Sequence, residues 1–323
     1  AITLWAMITA CTQNKKEIWI YTSIYQDVIE QMRPTVAALV PDYQVQWFQN
    51  GSENVMSRLN AELASGSGSR ANLLLTSDPF AYLDLKAAGK LDLYQSPAAA
   101  LIPANLKDDA FVTIRLPALV IAYNKEVAAV AAKPPTGWKD LTDPRFKDLV
   151  SMGSPIESGT QFTGVTVLSK NLGWEYFRKL RANGVLSAGG NSAVITRVES
   201  KERPVGIVLL ENVLKAKSKG SPLEIVYPSE GAISVPSPIA ILKGAQNPEA
   251  VRKIYDWFFT ETAQKALVTS GMYSPLASIP SPPGGKPWDE VSKSSYPWSP
   301  EILAEHAKRR EEVKKQFTEI LLR

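Results

Sequence analysis

The strongest constraint on the fold is an alternation of short apolar runs with amphipathic stretches along residues 17–89. The runs 18–21, 43–48 and 72–75 have the length and residue types of buried strands, and each is followed by a polar loop and then by apolar residues at helical spacing. Three strand-loop-helix units in succession predict parallel strands joined by right-handed crossovers. The sequence therefore predicts an α/β fold.

Two extended segments predict crossings between two lobes. Residues 112–123 form one, interrupted by Arg115 and Pro117, and residues 231–241 form the other, which contains two prolines. A second block of strand and helix patterns lies between them. The chain has 323 residues, 45% of them hydrophobic, which is enough for two modest cores. We therefore predict lobe 1 from 17–115 plus 238–323, and lobe 2 from 116–237. Two hinge strands would join the lobes, with a ligand cleft between them.

The amino-terminal segment predicts export. Residues 1–10 are largely apolar but too short to span a bilayer, and Ile8-Thr9-Ala10-Cys11 resembles a bacterial lipobox. We read 1–16 as a signal-peptide remnant, lipobox and linker. Lipid attachment at Cys11 and a periplasmic or extracytoplasmic location follow from this reading. The alternative is a disordered stub with an incidental cysteine.

Composition removes several function classes. One cysteine and one histidine cannot assemble a cysteine-and-histidine zinc site. A Ser-His-Asp triad would need His306, which lies in a strongly polar segment. The net charge is only +4, and the densest basic run, Lys308-Arg309-Arg310, is followed by two glutamates, as on a solvated helix face. We predict a monomer without a metal site, cofactor, nucleic-acid partner or catalytic activity.

Polar residues follow the predicted strands and form a candidate site. In an open α/β sheet, ligands bind beyond the carboxyl ends of the strands, where helix N-termini favour anions. Hydroxyl, amide and charged residues occupy these positions: Ser23, Tyr25, Ser52, Glu53, Ser77, Asp78, Arg115, Ser158, Gly159, Thr160, Asn191 and Glu211. Serine, asparagine and aspartate are also ordinary helix N-caps, which is the alternative reading for each loop.

Some candidates carry a more specific expectation. Ser158-Gly159-Thr160 places a glycine between two hydroxyls before a helix, which allows backbone N–H groups to approach an anion closely. Arg115 is either a charge partner for the ligand or a surface residue. The carboxylates Glu53, Asp78 and Glu211 either bind cationic or hydroxyl groups of a ligand or serve as caps and solvated side chains.

These motifs resemble those of bacterial solute-binding proteins related to the ferric-ion-binding, phosphonate-binding and sugar-phosphate-binding proteins. The resemblance runs from Ile18 to about Leu276. Seven fragments carry it: Ala87-Ala88-Gly89-Lys90-Leu91, Tyr123-Asn124-Lys125, Ser158-Gly159-Thr160, Gly173-Trp174-Glu175-Tyr176-Phe177, Val205-Gly206-Ile207, Tyr227-Pro228-Ser229-Glu230-Gly231 and Ala245-Gln246-Asn247-Pro248-Glu249-Ala250. It implies a type II, two-lobed periplasmic-binding-protein fold and delivery of the ligand to an ABC permease.

The sequence departs from the iron-binding members of this family. They place adjacent tyrosines after the strand that ends here near Leu210, where this chain has Glu211-Asn212. They often have a histidine after the first strand, where this chain has Tyr25. The loop at Ser77 and Asp78 also lacks their carboxylate pattern. An anion loop without iron ligands indicates an organic phosphate, sugar phosphate or phosphonate.

Three functions remain as hypotheses. The first is a binding protein of an ABC importer that closes its lobes around a small anion. A ferric-ion or other polar-solute binder is the alternative within that class. The second is an enzyme that uses Glu53, Asp78 or Glu211 as carboxylate catalysts, and nothing in the sequence enforces the paired geometry such an enzyme needs. The third is a ligand-sensing receptor domain.

Overall fold

A computed structural model describes residues 16–323. Cys11 lies outside the described residues, and its lipidation stays a prediction. The strands are β1 (Lys16–Thr22), β2 (Tyr43–Gln49), β3 (Ala71–Leu75), β4 (Val112–Arg115), β5 (Ala118–Asn124), β6 (Val150–Met152), β7 (Leu186–Ser187), β8 (Val205–Leu209), β9 (Leu223–Val226), β10 (Ile233–Ser234) and β11 (Ser237–Ile241).

The α-helices surround two sheets. They are α1 (Gln26–Leu39), α2 (Ser52–Ala64), α3 (Pro79–Ala87), α4 (Ala128–Ala131), α5 (Gly159–Ala182), α6 (Asn191–Glu199), α7 (Leu210–Ser218), α8 (Pro248–Trp257), α9 (Glu261–Thr269), α10 (Trp288–Ser294), α11 (Pro300–Lys308) and α12 (Arg310–Phe317). Within residues 16–323, no helix combines the length and the hydropathy that crossing a bilayer requires.

The first sheet has the order β2-β1-β3-β11-β4. Its strands β1, β2 and β3 are parallel, as the three strand-loop-helix units predict, and β11 is antiparallel to both of its neighbours. Because the strands are parallel, the loops after β1 and β3 open at the same edge of the sheet. Ser23, Ser52 and Ser77 follow β1, β2 and β3 at that edge.

The second sheet has the order β10-β5-β8-β6-β7, and β9 also pairs with β5. The chain passes from the first sheet to the second between Arg115 and Ala118, and it returns between Ser234 and Ser237. The two crossings are tied by a hydrogen bond from Val235 N to Pro117 O at 2.7 Å. The predicted two-lobed fold with two hinge strands is thereby confirmed.

The last helices contact both lobes. Val313 and Phe317 on α12 lie in the hydrophobic core of the second sheet, together with Trp298, while Arg310 reaches Asp78 at the start of α3. We call α11 and α12 the C-terminal bridge. From the sequence we assigned 238–323 to lobe 1. That assignment stays a prediction for this segment, because its contacts divide between the two sheets.

Candidate functional site

A cavity of about 130 Å³ lies between the two lobes at the carboxyl ends of the strands. The polar residues predicted from the sequence make up much of its lining. Nine of the twelve candidates line it: Ser23, Tyr25, Ser52, Ser77, Arg115, Ser158, Thr160, Asn191 and Glu211. Loops of both sheets contribute, so a ligand in this cavity would contact both lobes.

One wall of the cavity is a hydroxyl and amide cluster at the starts of α5 and α6. Thr160 Oγ1 lies 3.1 Å from Ser158 Oγ and accepts a hydrogen bond from Asn191 Nδ2 at 2.9 Å. The Asn191 amide is held in turn by Gln161, whose Nε2 donates to Asn191 Oδ1 at 2.8 Å. We call Ser158, Thr160 and Asn191 the hydroxyl-amide cluster.

The cluster lies where two helices leave backbone donors unused. Ser158 is the N-cap of α5, and its Oγ accepts a hydrogen bond from Gln161 N. The sequence predicted Asn191 as a cap, but α6 begins at Asn191 itself, with Gly190 as the N-cap and no side-chain cap bond. The Asn191 side chain is therefore free to organise the cluster. The first N–H groups of both helices have no partner within their helix and carry partial positive charge, which together favour an oxyanion.

The opposite wall carries a buried guanidinium. Arg115 is only 3% exposed. The alternative that it is a surface residue is therefore wrong. Its Nη2 donates to Ser23 Oγ at 3.2 Å and to Ser77 Oγ at 2.9 Å. Burial lowers the pKa of Arg115, and the nearby Glu211 carboxylate opposes that shift. Because Ser23 Oγ accepts from the guanidinium, its own O–H is directed elsewhere and can donate to a ligand.

Glu211 stands at the first turn of α7 and is 4% exposed. Burial raises the pKa of Glu211 to about 7, while Arg115 acts to lower it and Asp27 to raise it. Its Oε2 accepts no hydrogen bond from the described part of the chain. Next to it, Tyr25 donates its hydroxyl to Asn212 Oδ1 at 3.1 Å, and burial raises the pKa of Tyr25 to about 12.

Gly159 has a different role from the one the sequence predicted. A Cβ on Gly159 would lie 2.8 Å from Ser52 Cβ and 2.9 Å from Ser77 O. A Cβ on Gly51 would lie 2.9 Å from Glu157 O. Each contact joins a loop of one lobe to a loop of the other. These glycines let the two lobes approach closely, and Gly159 lies behind the cavity wall rather than in it.

Glu53 and Asp78 do not line the cavity, which corrects their place in the predicted site. Asp78 caps α3 by accepting from Phe80 N and Ala81 N. Its other oxygen accepts from Arg310 Nη2 at 2.6 Å, and Glu53 accepts from Lys314 Nζ at 2.8 Å. Both carboxylates are therefore occupied by the C-terminal bridge, and the capping alternative holds for Asp78.

Other lining residues were not among the predicted site residues: Gln49, Asn50, Gly51, Glu157, Gly190, Ser192 and Leu209. Most of them sit within two residues of a predicted one, at the same strand ends, so strand boundaries are the signal that could have found them. Among the described residues, no group of three or more histidine, cysteine, aspartate or glutamate side chains is arranged to hold a metal ion.

Known proteins share both the sequence pattern and the fold. The profile of a family described as "Bacterial extracellular solute-binding protein" matches residues 70–295. A "Putative 2-aminoethylphosphonate-binding periplasmic protein" of Salmonella paratyphi A is 25% identical over 253 residues, covering 74% of this chain and 71% of that protein.

Two solved structures show the same fold. The periplasmic binding protein AfuA from Actinobacillus pleuropneumoniae, with fructose-6-phosphate bound, superposes with a TM-score of 0.81 at 22% identity, covering 95% of this chain and 99% of AfuA. Iron-bound HitA from Pseudomonas aeruginosa also gives 0.81, at 19% identity, covering 94% of this chain and 99% of HitA. At these identities the likeness shows the fold alone.

Proposed function

Since this chain belongs to the bacterial extracellular solute-binding proteins, which serve ABC importers from outside the cytoplasm, we propose that it captures a small solute carrying a phosphate or phosphonate group. The lobes close around the solute and present it to the permease. The hydroxyl-amide cluster carries this proposal, because three buried side chains and two helix N-termini converge there on one side of the cavity.

The donor chemistry of the cluster favours a tetrahedral oxyanion. One hydroxyl of the Ser158–Thr160 pair and the first backbone N–H groups of α5 and α6 can each donate to a different oxygen, and hydrogen bonds to a charged acceptor are the stronger ones. Two of the proteins similar to this chain are described with phosphorus-containing ligands, one with 2-aminoethylphosphonate and one with fructose-6-phosphate. Both ligands carry the group that this cluster fits.

Ferric iron fits the cavity less well. The position after β8 that holds adjacent tyrosines in the iron-binding members is occupied by Leu210, Glu211 and Asn212. Tyr25 already donates its hydroxyl to Asn212, and deprotonation to a metal-binding phenolate is disfavoured because burial raises its pKa to about 12.

Catalysis by paired carboxylates is also less well supported. Two of the three candidate carboxylates, Glu53 and Asp78, are paired with the C-terminal bridge rather than with the cavity. That leaves Glu211 together with Glu157, which is exposed and accepts from Gly189 N. A turnover assay on phosphate esters that bind tests this directly, and release of phosphate at a steady rate would contradict the transport proposal.

A thermal-shift panel tests the ligand class. Sugar phosphates, phosphonates, free sugars, amino acids and ferric citrate are compared on the purified protein. A ligand at a hundredfold excess over Kd stabilises the folded state by about 2.7 kcal/mol, which gives a clear rise in Tm. A rise with free sugars or amino acids and none with any phosphate or phosphonate would rule out the anion proposal.

Substitution of Thr160 tests whether the anion binds at the hydroxyl-amide cluster. We expect Thr160→Val to weaken binding of the best anionic ligand by about 10- to 150-fold, since a hydrogen bond to a charged group contributes about 1.5–3 kcal/mol. Thr166→Val is the matched control, because Thr166 is buried on the same helix and donates to Phe162 O, away from the cavity. Equal affinity losses in both variants would show that Thr160 acts through helix stability alone.

A further inference from the structure

A buried carboxylate in the cavity lacks a partner. Glu211 is 4% exposed and lines the cavity, and its Oε2 accepts no hydrogen bond from residues 16–323. A buried polar atom left without a hydrogen bond destabilises the folded state, and more so when it is charged. Glu211 lines the cavity, so a ligand bound there is the available source of the missing donor.

The protein groups around Glu211 are already engaged. Arg115 faces it from β4, but the guanidinium donates to Ser23, Ser77 and Met272. Tyr25 donates its hydroxyl to Asn212. Asp27 adds negative charge from α1 and is paired with Lys215. None of these groups donates a hydrogen bond to the free oxygen, so the donor has to come from the cavity.

The charges of the lining indicate which kind of donor fits. The charged residues of the lining are Arg115, Glu157 and Glu211, which leaves one net negative charge when both carboxylates are ionised. A ligand carrying only a phosphate or phosphonate would add its own negative charge to the net negative charge of the lining. A ligand that also carries an ammonium group compensates Glu211 and donates a charge-assisted hydrogen bond to it.

We infer that the solute is a zwitterion, in which a primary amine binds Glu211 while the oxyanion binds the hydroxyl-amide cluster. This inference rests on the proposed function and adds the second recognition group. The relevant chemical class is a short aminoalkyl phosphonate or phosphate, because the cavity measures only about 130 Å³. Glu211 is then the residue that selects amine-bearing anions over plain ones.

Three probes separate the two ends of the ligand, and the two phosphonates among them match in size. 2-Aminoethylphosphonate carries both groups, propylphosphonate replaces the ammonium by a methyl group, and propylamine lacks the phosphonate. Isothermal titration calorimetry at pH 8, above the raised pKa of Glu211, measures each Kd. We expect 2-aminoethylphosphonate to bind about 10- to 150-fold more tightly than propylphosphonate, and propylamine to bind much more weakly than either.

Two variants assign the preference to one carboxylate. In Glu211→Gln the preference for 2-aminoethylphosphonate over propylphosphonate should fall to about threefold or less, because a neutral amide does not attract the ammonium. Propylphosphonate binding should be retained, and it also shows that the variant folds. Glu157→Gln tests the other carboxylate of the lining, and we expect it to keep most of the preference because Glu157 is exposed and bonded to Gly189 N.

The outcomes separate this inference from the proposed function. Equal binding of 2-aminoethylphosphonate and propylphosphonate to the unmodified protein would overturn the amine inference and leave the anion proposal standing. Loss of the preference in Glu157→Gln rather than Glu211→Gln would overturn the role of Glu211. Binding of propylamine as tightly as 2-aminoethylphosphonate would overturn the anion proposal while supporting the amine site. Tighter binding of an amine-free sugar phosphate than of any aminoalkyl probe would overturn the zwitterion.

Discussion

The cavity and the C-terminal bridge contain the same local motif with opposite outcomes. In both regions a carboxylate follows a strand and stands at the start of a helix: Glu211 in the cavity, and Glu53 and Asp78 beside the bridge. Arg310 and Lys314 neutralise the two carboxylates beside the bridge. Glu53 Oε1 also accepts no hydrogen bond, but it lies 3.7 Å from Arg310 Nη2, whereas Glu211 forms no ion pair with a lysine or arginine among the described residues. The cationic partner, and not the motif, therefore separates a stabilising carboxylate from one available to a ligand.

The largest expected effect concerns the bridge. Arg310 contacts Asp78, Glu53 and Asp84, and Asp78 is fully buried. Arg310→Met leaves that carboxylate uncompensated, so we expect the free energy of unfolding to fall by about 3–5 kcal/mol. Urea denaturation measures the loss.

Two further variants control this result. Arg33→Met removes an exposed pair with Glu30 and should leave the free energy of unfolding almost unchanged, because solvent screens such pairs. Asp78→Asn combined with Arg310→Met should recover part of the loss, because the buried charge is gone. If Arg310→Met costs no more than Arg33→Met, the bridge does not hold the lobes in the way the contacts indicate.

The next effect is the pH dependence of stability without ligand. Glu211 has an ordinary pKa of 4.5 in the unfolded chain and about 7 in the folded one. The folded state therefore binds more protons between these values, and stability falls as the pH rises from about 4.5 to 7. Glu211→Gln removes this contribution, so its stability relative to the unmodified protein should increase by at most about 3 kcal/mol between pH 4.5 and pH 8.

The quantity to follow is the difference in stability between Glu211→Gln and the unmodified protein, because Asp78 also titrates. Burial raises the pKa of Asp78 to about 6 against the opposing effect of Arg310. Its contribution has the same sign and remains in both proteins, so it cancels in the difference. Denaturation curves at pH 5 and pH 8 suffice. A difference that does not change with pH would show that Glu211 is ionised in the folded state at both values, and the burial argument would be wrong.

A smaller effect is expected where the lobes touch. Gly159→Ala places a methyl group 2.8 Å from Ser52 Cβ and 2.9 Å from Ser77 O, and overpacking costs about 1–3 kcal/mol. Because the contact joins the two lobes, the loss should appear in ligand affinity and not in the Tm of the unliganded protein. Small-angle scattering should show less compaction on ligand addition than in the unmodified protein. An unchanged affinity would mean that the loops relax without cost.

Much of the fold could be predicted from local patterns in the sequence. The strands at 18–21, 43–48 and 72–75 lie within β1, β2 and β3, and the two predicted crossings contain the links between the sheets. Hydrophobic periods of two and 3.6 residues predict strands and helices, and prolines and glycines mark where they end; each of these signals depends only on residues close together in the chain. Nine of the residues that line the cavity could be predicted as well, because the residues after parallel strands lie at one edge of the sheet.

The sequence by itself determined the two lobes, their hinge strands and the polar residues that follow the strands, because each depends on neighbouring residues and on the direction of a strand. Only the tertiary structure decided which carboxylates are paired with a cation. Arg310 lies 232 residues from Asp78, and no local pattern shows that it neutralises Asp78 while Glu211 is left open to the cavity. The structure alone also decided that Gly159 serves the contact between the lobes. Charge pairing and close approach depend on distances in space, which the order of residues does not contain.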